Sequence, residues 1–285
     1  MAPPLPLPPD DRTTSARDVL TVRRGTVLRR PDRLAAEEPM AIRVAGPGQA
    51  PVDVAVTMRT PGHDAELAVG FLVSEGLLTR ADLPGVRVEA GDPAAVAMPE
   101  NEVVVRLRGP FDPASVPARA FIASASCGIC GKASLDDVAV RCDPLPDGPR
   151  VDAAVIAALP DRLRSGQAVF DRTGGLHASG LFDAAGKLLA VREDVGRHNA
   201  LDKLIGAAAL AGELPLHDRL LVVSGRASFE IVQKAAVAGI PVVAAVSAPT
   251  DLAVEAAERV GMTLVGFVRD GGFNVYTGEE RIALG

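Results

Sequence analysis

Two of the three cysteines of this 285-residue chain stand in Ser126-Cys127-Gly128-Ile129-Cys130-Gly131-Lys132, a Cys-X-X-Cys pair flanked by glycines and followed by a cation. Such a pair offers redox exchange, metal binding or sulfur transfer in a reducing compartment. The thiolate is the reactive form, and both Lys132 and a following helix start would favour it. Upstream, Pro110-Phe111-Asp112-Pro113-Ala114-Ser115-Val116-Pro117 is too rich in proline for a regular element, so the pair is expected on an exposed loop able to visit two partners. A structural zinc wants four ligands, and only Cys142 and the distant His177 are at hand. A thioredoxin-type pair belongs just after the first strand of a compact fold, whereas this one follows a long connection. Two buried structural cysteines would fit poorly with the glycine flanks and polar surroundings.

A second group of candidates is polar but not sulfur-based. Ser224-Gly225-Arg226 and Ser247-Ala248-Pro249-Thr250 each end a short apolar run that reads as a buried strand. Hydroxyls, backbone amides and a guanidinium at the carboxyl ends of parallel strands suit a phosphate or nucleotide. Ordinary helix capping accounts for the hydroxyls but not for Arg226. A third group runs through Thr173-Gly174-Gly175-Leu176-His177-Ala178-Ser179-Gly180 and Arg192-Glu193-Asp194-Val195-Gly196-Arg197-His198-Asn199-Ala200-Leu201-Asp202-Lys203. Taken singly, these could be local ion pairs and a His198-Asn199 cap; together they are denser than a solvated face requires. His63 and His217 have no supporting neighbours in the sequence and read as surface or capping residues.

The elements that must position these groups can be read in outline. Aromatic residues are only 3% of the chain, so the core must be built from Ala, Val, Leu and Ile. The formal charge of −6 argues against a nucleic-acid-coating protein, and the apolar stretch at 235–249, broken by Gly239 and Pro241, is too short to span a bilayer. No signal peptide is read at the Pro-rich start, and a cytoplasmic, non-membrane protein is expected. Residues 1–18 are expected to form a disordered tail. Strands at 19–28, 40–44, 52–57, 86–88 and 102–107, with a helix through Leu67 to Leu78, predict a small α+β domain over 19–110. Residues 111–150 hold the cysteine loop and connection. A helix at 152–163, a hairpin of 178–182 with 188–192, a helix at 198–211 and strands at 220–223, 241–246 and 263–268 predict an α/β domain over 151–285 with a largely parallel sheet.

Taken together, the motifs resemble those of the formate dehydrogenase accessory sulfurtransferases, the FdhD/NarQ family. The resemblance rests on Cys127-Gly128-Ile129-Cys130-Gly131, Thr173-Gly174-Gly175-Leu176-His177, the run from Arg192 to Ala200, Ser224-Gly225-Arg226 and Phe267-Val268-Arg269, and extends from about residue 19. It implies a sulfur carrier that takes a persulfide sulfur from a cysteine desulfurase, on Cys127 with Cys130 assisting. The sulfur would pass to the molybdenum bis(molybdopterin guanine dinucleotide) cofactor of formate dehydrogenase, bound as a substrate that a GDP- or GTP-like nucleotide would mimic. The resemblance also implies a homodimer and a cytidine-deaminase-like α/β/α sandwich with a smaller α+β N-terminal domain. Zinc deaminases need His-X-Glu and Pro-Cys-X-X-Cys; here His177-Ala178-Ser179 lacks the glutamate and Ser224-Gly225-Arg226-Ala227-Ser228 lacks the cysteines, so no metal site is expected. Cofactor contacts are expected from Thr173, Gly174, His177, Arg192, Arg197, His198, Ser224, Gly225, Arg226, Ser247, Pro249, Phe267, Val268, Arg269, Asp270, Gly271 and Gly272. Of the last group, Arg269 suits a phosphate better than Asp270. The alternative is a non-catalytic chaperone that binds the same cofactor for formate dehydrogenase.

Overall fold

The computed structural model describes residues 12–94, 97–116 and 144–284. Thr14–Arg23 (β1) and Thr26–Ala35 (β2) form an antiparallel ribbon. A single strand over 19–28 was the sequence expectation, but Arg24 and Gly25 both take positive φ, 46° and 80°, and turn the chain back in a two-residue hairpin. Alternation runs unbroken into Arg23, so only Gly25 marked the turn. The ribbon also starts at Thr14, inside the segment expected to be a tail.

Glu38–Ala45 (β3), Val52–Arg59 (β4), Arg87–Ala90 (β5) and Glu102–Arg106 (β6) make a four-stranded sheet in the order β4-β3-β6-β5. Its buried face, with Met40, Ile42, Val44, Val103 and Val105, packs under helix α1, Asp64–Ser74. That helix stops before Leu77 and Leu78, which the apolar spacing had drawn into it. Gly76 turns at φ 73°, and the amides of Leu77 and Leu78 both bond back to the Leu72 carbonyl. The proline-rich stretch contains one 3₁₀ turn, Pro113–Ser115.

Next come Val151–Asp152 (β7) and helix α2, Ala153–Arg164. Helix α3, Ala168–Thr173, follows, then strands His177–Phe182 (β8) and Leu188–Asp194 (β9) and helix α4, Arg197–Leu210. Leu220–Val223 (β10), helix α5 at Phe229–Val237, Val242–Ala245 (β11), helix α6 at Asp251–Val260, Thr263–Arg269 (β12) and Gly272–Thr277 (β13) complete the main sheet. Ile282–Ala283 (β14) pairs with β7. The main sheet has the order β9-β8-β10-β11-β12-β13. Only β10-β11 and β11-β12 pair in parallel; the other three pairings are antiparallel, so the sheet is mixed rather than largely parallel. The reason is local: β8-β9 and β12-β13 are hairpins, and the second of these was not anticipated.

Period-two alternation sends Leu220, Val222, Val242 and Ala244 to a core under α2, and Leu221, Val223, Val243 and Ala245 to the opposite core with α4, α5 and α6. The second core is continuous with that of the four-stranded sheet. The bridge is the crossing of α1 over α4. A Cβ on Gly70 would lie 1.8 Å from the Asp202 carbonyl oxygen, and one on Gly206 would lie 1.8 Å from that of Glu66. Two glycines thus let the helix backbones touch. Beside the crossing, buried Lys234 donates to both Asp202 oxygens at 3.0 Å, to Ser74 Oγ at 2.8 Å and to Glu75 at 3.1 Å. Asp202 and Glu75 hold its ammonium above its usual range against the opposing effect of burial.

Candidate functional site at the carboxyl end of the main sheet

The parallel strands β10, β11 and β12 deliver Ser224-Gly225-Arg226, Ser247-Ala248-Pro249-Thr250 and Phe267-Val268-Arg269 to one end of the sheet. Because β8 runs antiparallel to β10, its first residue, His177, lies at the same end, opposite Asp194 at the end of β9. Helices α4, α5 and α6 all start there, bringing the positive ends of their dipoles together. Strand order therefore gathers His177, Arg197, His198, Ser224, Gly225, Arg226, Ser247, Pro249, Phe267, Val268 and Arg269 in one region.

The loops are tied to each other by backbone and hydroxyl bonds. Ser224 Oγ accepts from the Ala178 amide at 2.9 Å, and the Ser224 amide returns a bond to the Ala178 carbonyl at 2.9 Å. The Thr250 amide donates to the Ala227 carbonyl at 3.0 Å, and the Phe267 amide to the Ser247 carbonyl at 3.1 Å. At Gly225 an added Cβ would stand 3.4 Å from His177 Nδ1 and 3.9 Å from Arg197 Cδ, so the glycine keeps this corner open. At the far loop the β12-β13 register slips between Gly266 and Arg269. Phe267 takes φ 53° and Asp270 φ 54°, both in the left-handed region, and the Arg269 guanidinium lies 5.5 Å over the Phe267 ring. Gly271, at φ 74°, and Gly272 complete the turn into β13.

The electrostatics favour an anion. Arg226 and Arg269 are exposed, while Arg197 is half-buried and its Nε has no hydrogen-bond partner. Burial, and then the Arg197 charge, push His177 below its ordinary value. Burial together with Arg197 and Lys234 pushes His198 down to about 4, against the pull of Glu230 and Glu75. Both shifts favour the neutral imidazole. His198 is 5% exposed; its Nε2 lies 3.3 Å from Ser228 Oγ, and its Nδ1 has no partner. Ser228 and Glu230, the latter 3.8 Å from His198 Nε2, were not singled out from the sequence. Ser228 could have been found as the cap position of α5, although its hydroxyl faces His198 instead of the helix amides.

Other expected contacts have structural partners. Thr173 Oγ1 accepts from the Gly175 amide at 3.3 Å and donates to the Val169 carbonyl, and Gly174 closes α3 at φ 67°. Arg192 holds Glu66 with two donors, Nη2 at 2.7 Å, and pairs with neither Glu193 nor Asp194. Burial would raise the Glu66 carboxyl, but Arg192 and His63 hold it down to about 2. His63, which had no visible neighbour in sequence, occupies the cap position of α1 with Nδ1 3.1 Å from Glu66. Glu193 accepts from the Val169 and Phe170 amides at the start of α3, and burial pushes its carboxyl up against those two donors. Asp194, fully buried, accepts from Lys203 at 2.7 Å, the Thr60 amide at 3.1 Å and the Gly196 amide at 2.8 Å. Asn199 does not cap α4; its Nδ2 donates to the Met58 carbonyl at 2.7 Å. Of the run 192–203, Arg197 and His198 are the two ionisable residues left at the sheet end.

Cys127, Cys130 and Cys142 lie outside the described residues. Among the described residues no group of three or more His, Cys, Asp or Glu side chains could hold a metal ion, and no helix is long and apolar enough to cross a membrane.

Comparison with known proteins gives the family of the chain. The chain is 52% identical over 278 residues to the sulfur carrier protein FdhD of Streptomyces avermitilis, covering 96% of this chain and 97% of the relative. It is 49% identical over 278 residues to the protein of the same name from Mycobacterium tuberculosis, covering 94% and 98%. A crystal structure from Desulfotalea psychrophila, described as a formate dehydrogenase accessory protein, superimposes with a TM-score of 0.71 at 24% identity, covering 98% of this chain and all of that one. The sequence model of the FdhD/NarQ family matches residues 35–283, and the chain belongs to that family.

Proposed function

We propose that this protein is a sulfur carrier for formate dehydrogenase. It takes a sulfane sulfur from a cysteine desulfurase as a persulfide on Cys127, with Cys130 assisting, and delivers it to molybdenum bis(molybdopterin guanine dinucleotide). Loading is an exchange: the Cys127 thiolate bonds to the sulfane sulfur as the donor's S–S bond breaks, and the donor cysteine leaves as a thiolate. Relatives named as sulfur carriers at about half identity, together with Cys127 and Cys130 in this chain, support that chemistry. The observation that carries the cofactor half of the reading is the sheet end, where Arg197, Arg226 and Arg269 meet three helix starts and open backbone at Gly225. Such a cradle suits the diphosphate of a guanine nucleotide. The order β9-β8-β10-β11-β12-β13 between helical layers supports reading the larger half, 151–285, as a cytidine-deaminase-like sandwich beside an α+β domain over 19–110. A cytoplasmic homodimer completes the proposal.

The test compares intact masses after incubation with a cysteine desulfurase and cysteine. Wild type gains one sulfur that reductant removes, Cys127→Ala gains none, and Cys127→Ala still binds GDP. Arg226→Ala loads sulfur normally but loses GDP affinity. No gain in any form, with an active desulfurase, refutes the carrier and leaves a cofactor-binding chaperone, for which Arg226→Ala alone would abolish formate dehydrogenase activation.

A further inference from the structure

Two histidines and an arginine meet at the open corner of the cradle. The space that Gly225 leaves free is bordered by His177 Nδ1 on one side and the Arg197 stem on the other. His177 makes no hydrogen bond among the described residues. His198 follows Arg197 in the first turn of α4. Its Nε2 faces Ser228 Oγ at 3.3 Å and the Glu230 carboxylate at 3.8 Å, whereas its Nδ1 is buried without a partner. Arg197 Nε is buried without a partner as well. Buried polar atoms are ordinarily hydrogen-bonded, so two consecutive residues that break this rule mark a place where something other than the chain supplies the bond.

The charges around the two rings set which form the empty corner favours. His177 has the Arg197 cation against it and Asp194 at the end of β9 for it. His198 has Arg197 beside it on α4, Lys234 and Glu230 on α5, and Glu75 just past the end of α1. Burial and the two cations outweigh the carboxylates, so both rings tend to the neutral form. A neutral imidazole has a single N–H. At His198 that proton belongs on Nε2, which faces a carboxylate, and Nδ1 then presents a lone pair that repels a phosphate oxygen. An anion reverses the balance. A diphosphate on Arg197 cancels the charge that opposes both imidazolium ions and offers oxygens to a second N–H.

We propose that the cradle takes up protons with its ligand: as a diphosphate settles on Arg197, His177 and His198 become imidazolium ions and help to hold it. The protons come from solvent and return to it on release; the only bonds made and broken are N–H. The inference rests on the nucleotide reading above and adds the protonation state of the complex. By linkage, each proton taken up strengthens binding about tenfold for every unit that pH falls between the midpoints of the empty and the filled site. For His198 that window opens at about 4, where the empty site titrates. A complex that needs protons to form loosens as pH rises.

Titration calorimetry of GDP into the full chain at about pH 6.5, in buffers of different ionisation enthalpy, counts the protons. Wild type takes up at least roughly half a proton per GDP, seen as an apparent enthalpy that follows the buffer. His177→Gln and His198→Gln each lose part of that uptake, and the combined variant loses it and binds GDP at least about fivefold more weakly. The ionisation of GDP itself is common to all four proteins and cancels in the comparison. Circular dichroism confirms that each variant is folded, and the single variants decide the matter if the combined one is not. In nuclear magnetic resonance spectra the His198 midpoint moves up from about 4 when GDP is added. Equal enthalpies in every buffer, with GDP bound, overturn the proton uptake and leave the cradle standing. Uptake undiminished in the variants assigns the protons to GDP and overturns it too. A wild type that binds no GDP overturns the nucleotide reading and this inference together.

Discussion

Replacing Gly70 by Ala sets two physical effects against each other, and the structure says which wins. Alanine in place of a mid-helix glycine stabilises a helix by about 1 kcal/mol through backbone entropy alone. At this position, however, the new Cβ would stand 1.8 Å from the Asp202 carbonyl oxygen and 2.7 Å from the Gly206 amide nitrogen, all backbone atoms that cannot rotate away. Restoring an ordinary contact of about 3.4 Å parts α1 from α4 by about 1.6 Å. A contact strip on the order of 100 Å² opened by that much leaves a gap of roughly 160 Å³. At ~24 cal/mol per Å³ the gap costs about 4 kcal/mol before relaxation. Partial collapse and the helix-propensity gain reduce this to a net loss of about 2–3 kcal/mol. Urea unfolding followed by circular dichroism should show a lower midpoint at unchanged slope. Gly206→Ala should do the same, and the double variant should cost less than the sum, because one gap accommodates both methyl groups. A Gly70→Ala midpoint equal to or above wild type refutes the crossing as described.

Lys234→Met leaves Asp202 and Glu75 without their buried cation and should lower stability by about 3–5 kcal/mol. Adding Asp202→Leu should recover much of that loss in thermal melts, and a double variant no better than the single would refute the pairing. Glu66 is held at about 2 in the fold against an ordinary 4.5, so its contribution is complete above about pH 4.5 and is lost as pH falls towards 2. After discounting for solvent screening, that contribution is roughly 1–2 kcal/mol, read as the difference between wild type and Glu66→Gln in urea titrations across this window. His198, held at about 4 against an ordinary 6.5, takes its proton earlier in the unfolded chain. Stability should therefore fall as pH drops from about 6.5 to 4, and less so in His198→Gln. An imidazole titration midpoint at 6 or above in nuclear magnetic resonance spectra would contradict the burial described.

The two central strands of the main sheet, β10 and β11, were legible in sequence because they are buried on both faces and read as unbroken runs of Val, Leu and Ala between turn residues. Leu220–Val223 is an example. The loops at their carboxyl ends followed from that reading, which is why Ser224, Arg226 and Ser247 could be placed before the fold was described. What escaped was whatever depended on partners distant in the chain. Nothing near Arg192 in the sequence announces Glu66, 126 residues away. Gly70 and Gly206 look like weak points in two helices until the crossing brings them together. Strand direction escaped for a different reason: Asp270-Gly271, the two-residue loop between β12 and β13, is a hairpin signal, but it was read as part of a ligand loop.

The run 192–203 carries a consequence for how activity data on this family should be read. Its density of charge suggested a ligand site, yet Arg192, Glu193, Asp194, Asn199, Asp202 and Lys203 all bind other parts of the chain. Asp194 and Asn199 reach Thr60 and Met58 at the end of β4, Lys203 reaches the Thr60 carbonyl, and Asp202 joins α4 to α1 and α5. These bonds fix where α4 begins, and α4 begins with Arg197 and His198. A substitution at any of the six can therefore abolish function without removing a single ligand contact. Loss of activity does not separate the two roles; ligand affinity measured alongside stability does. Asp194→Asn should lower stability and GDP affinity together, because it loosens Lys203 and the helix start at once. Arg197→Gln should lower affinity while leaving the unfolding midpoint close to wild type, because its Nε has no partner to lose. If Arg197→Gln unfolds as easily as Asp194→Asn, then Arg197 is part of the clamp and the cradle must be carried by Arg226 and Arg269.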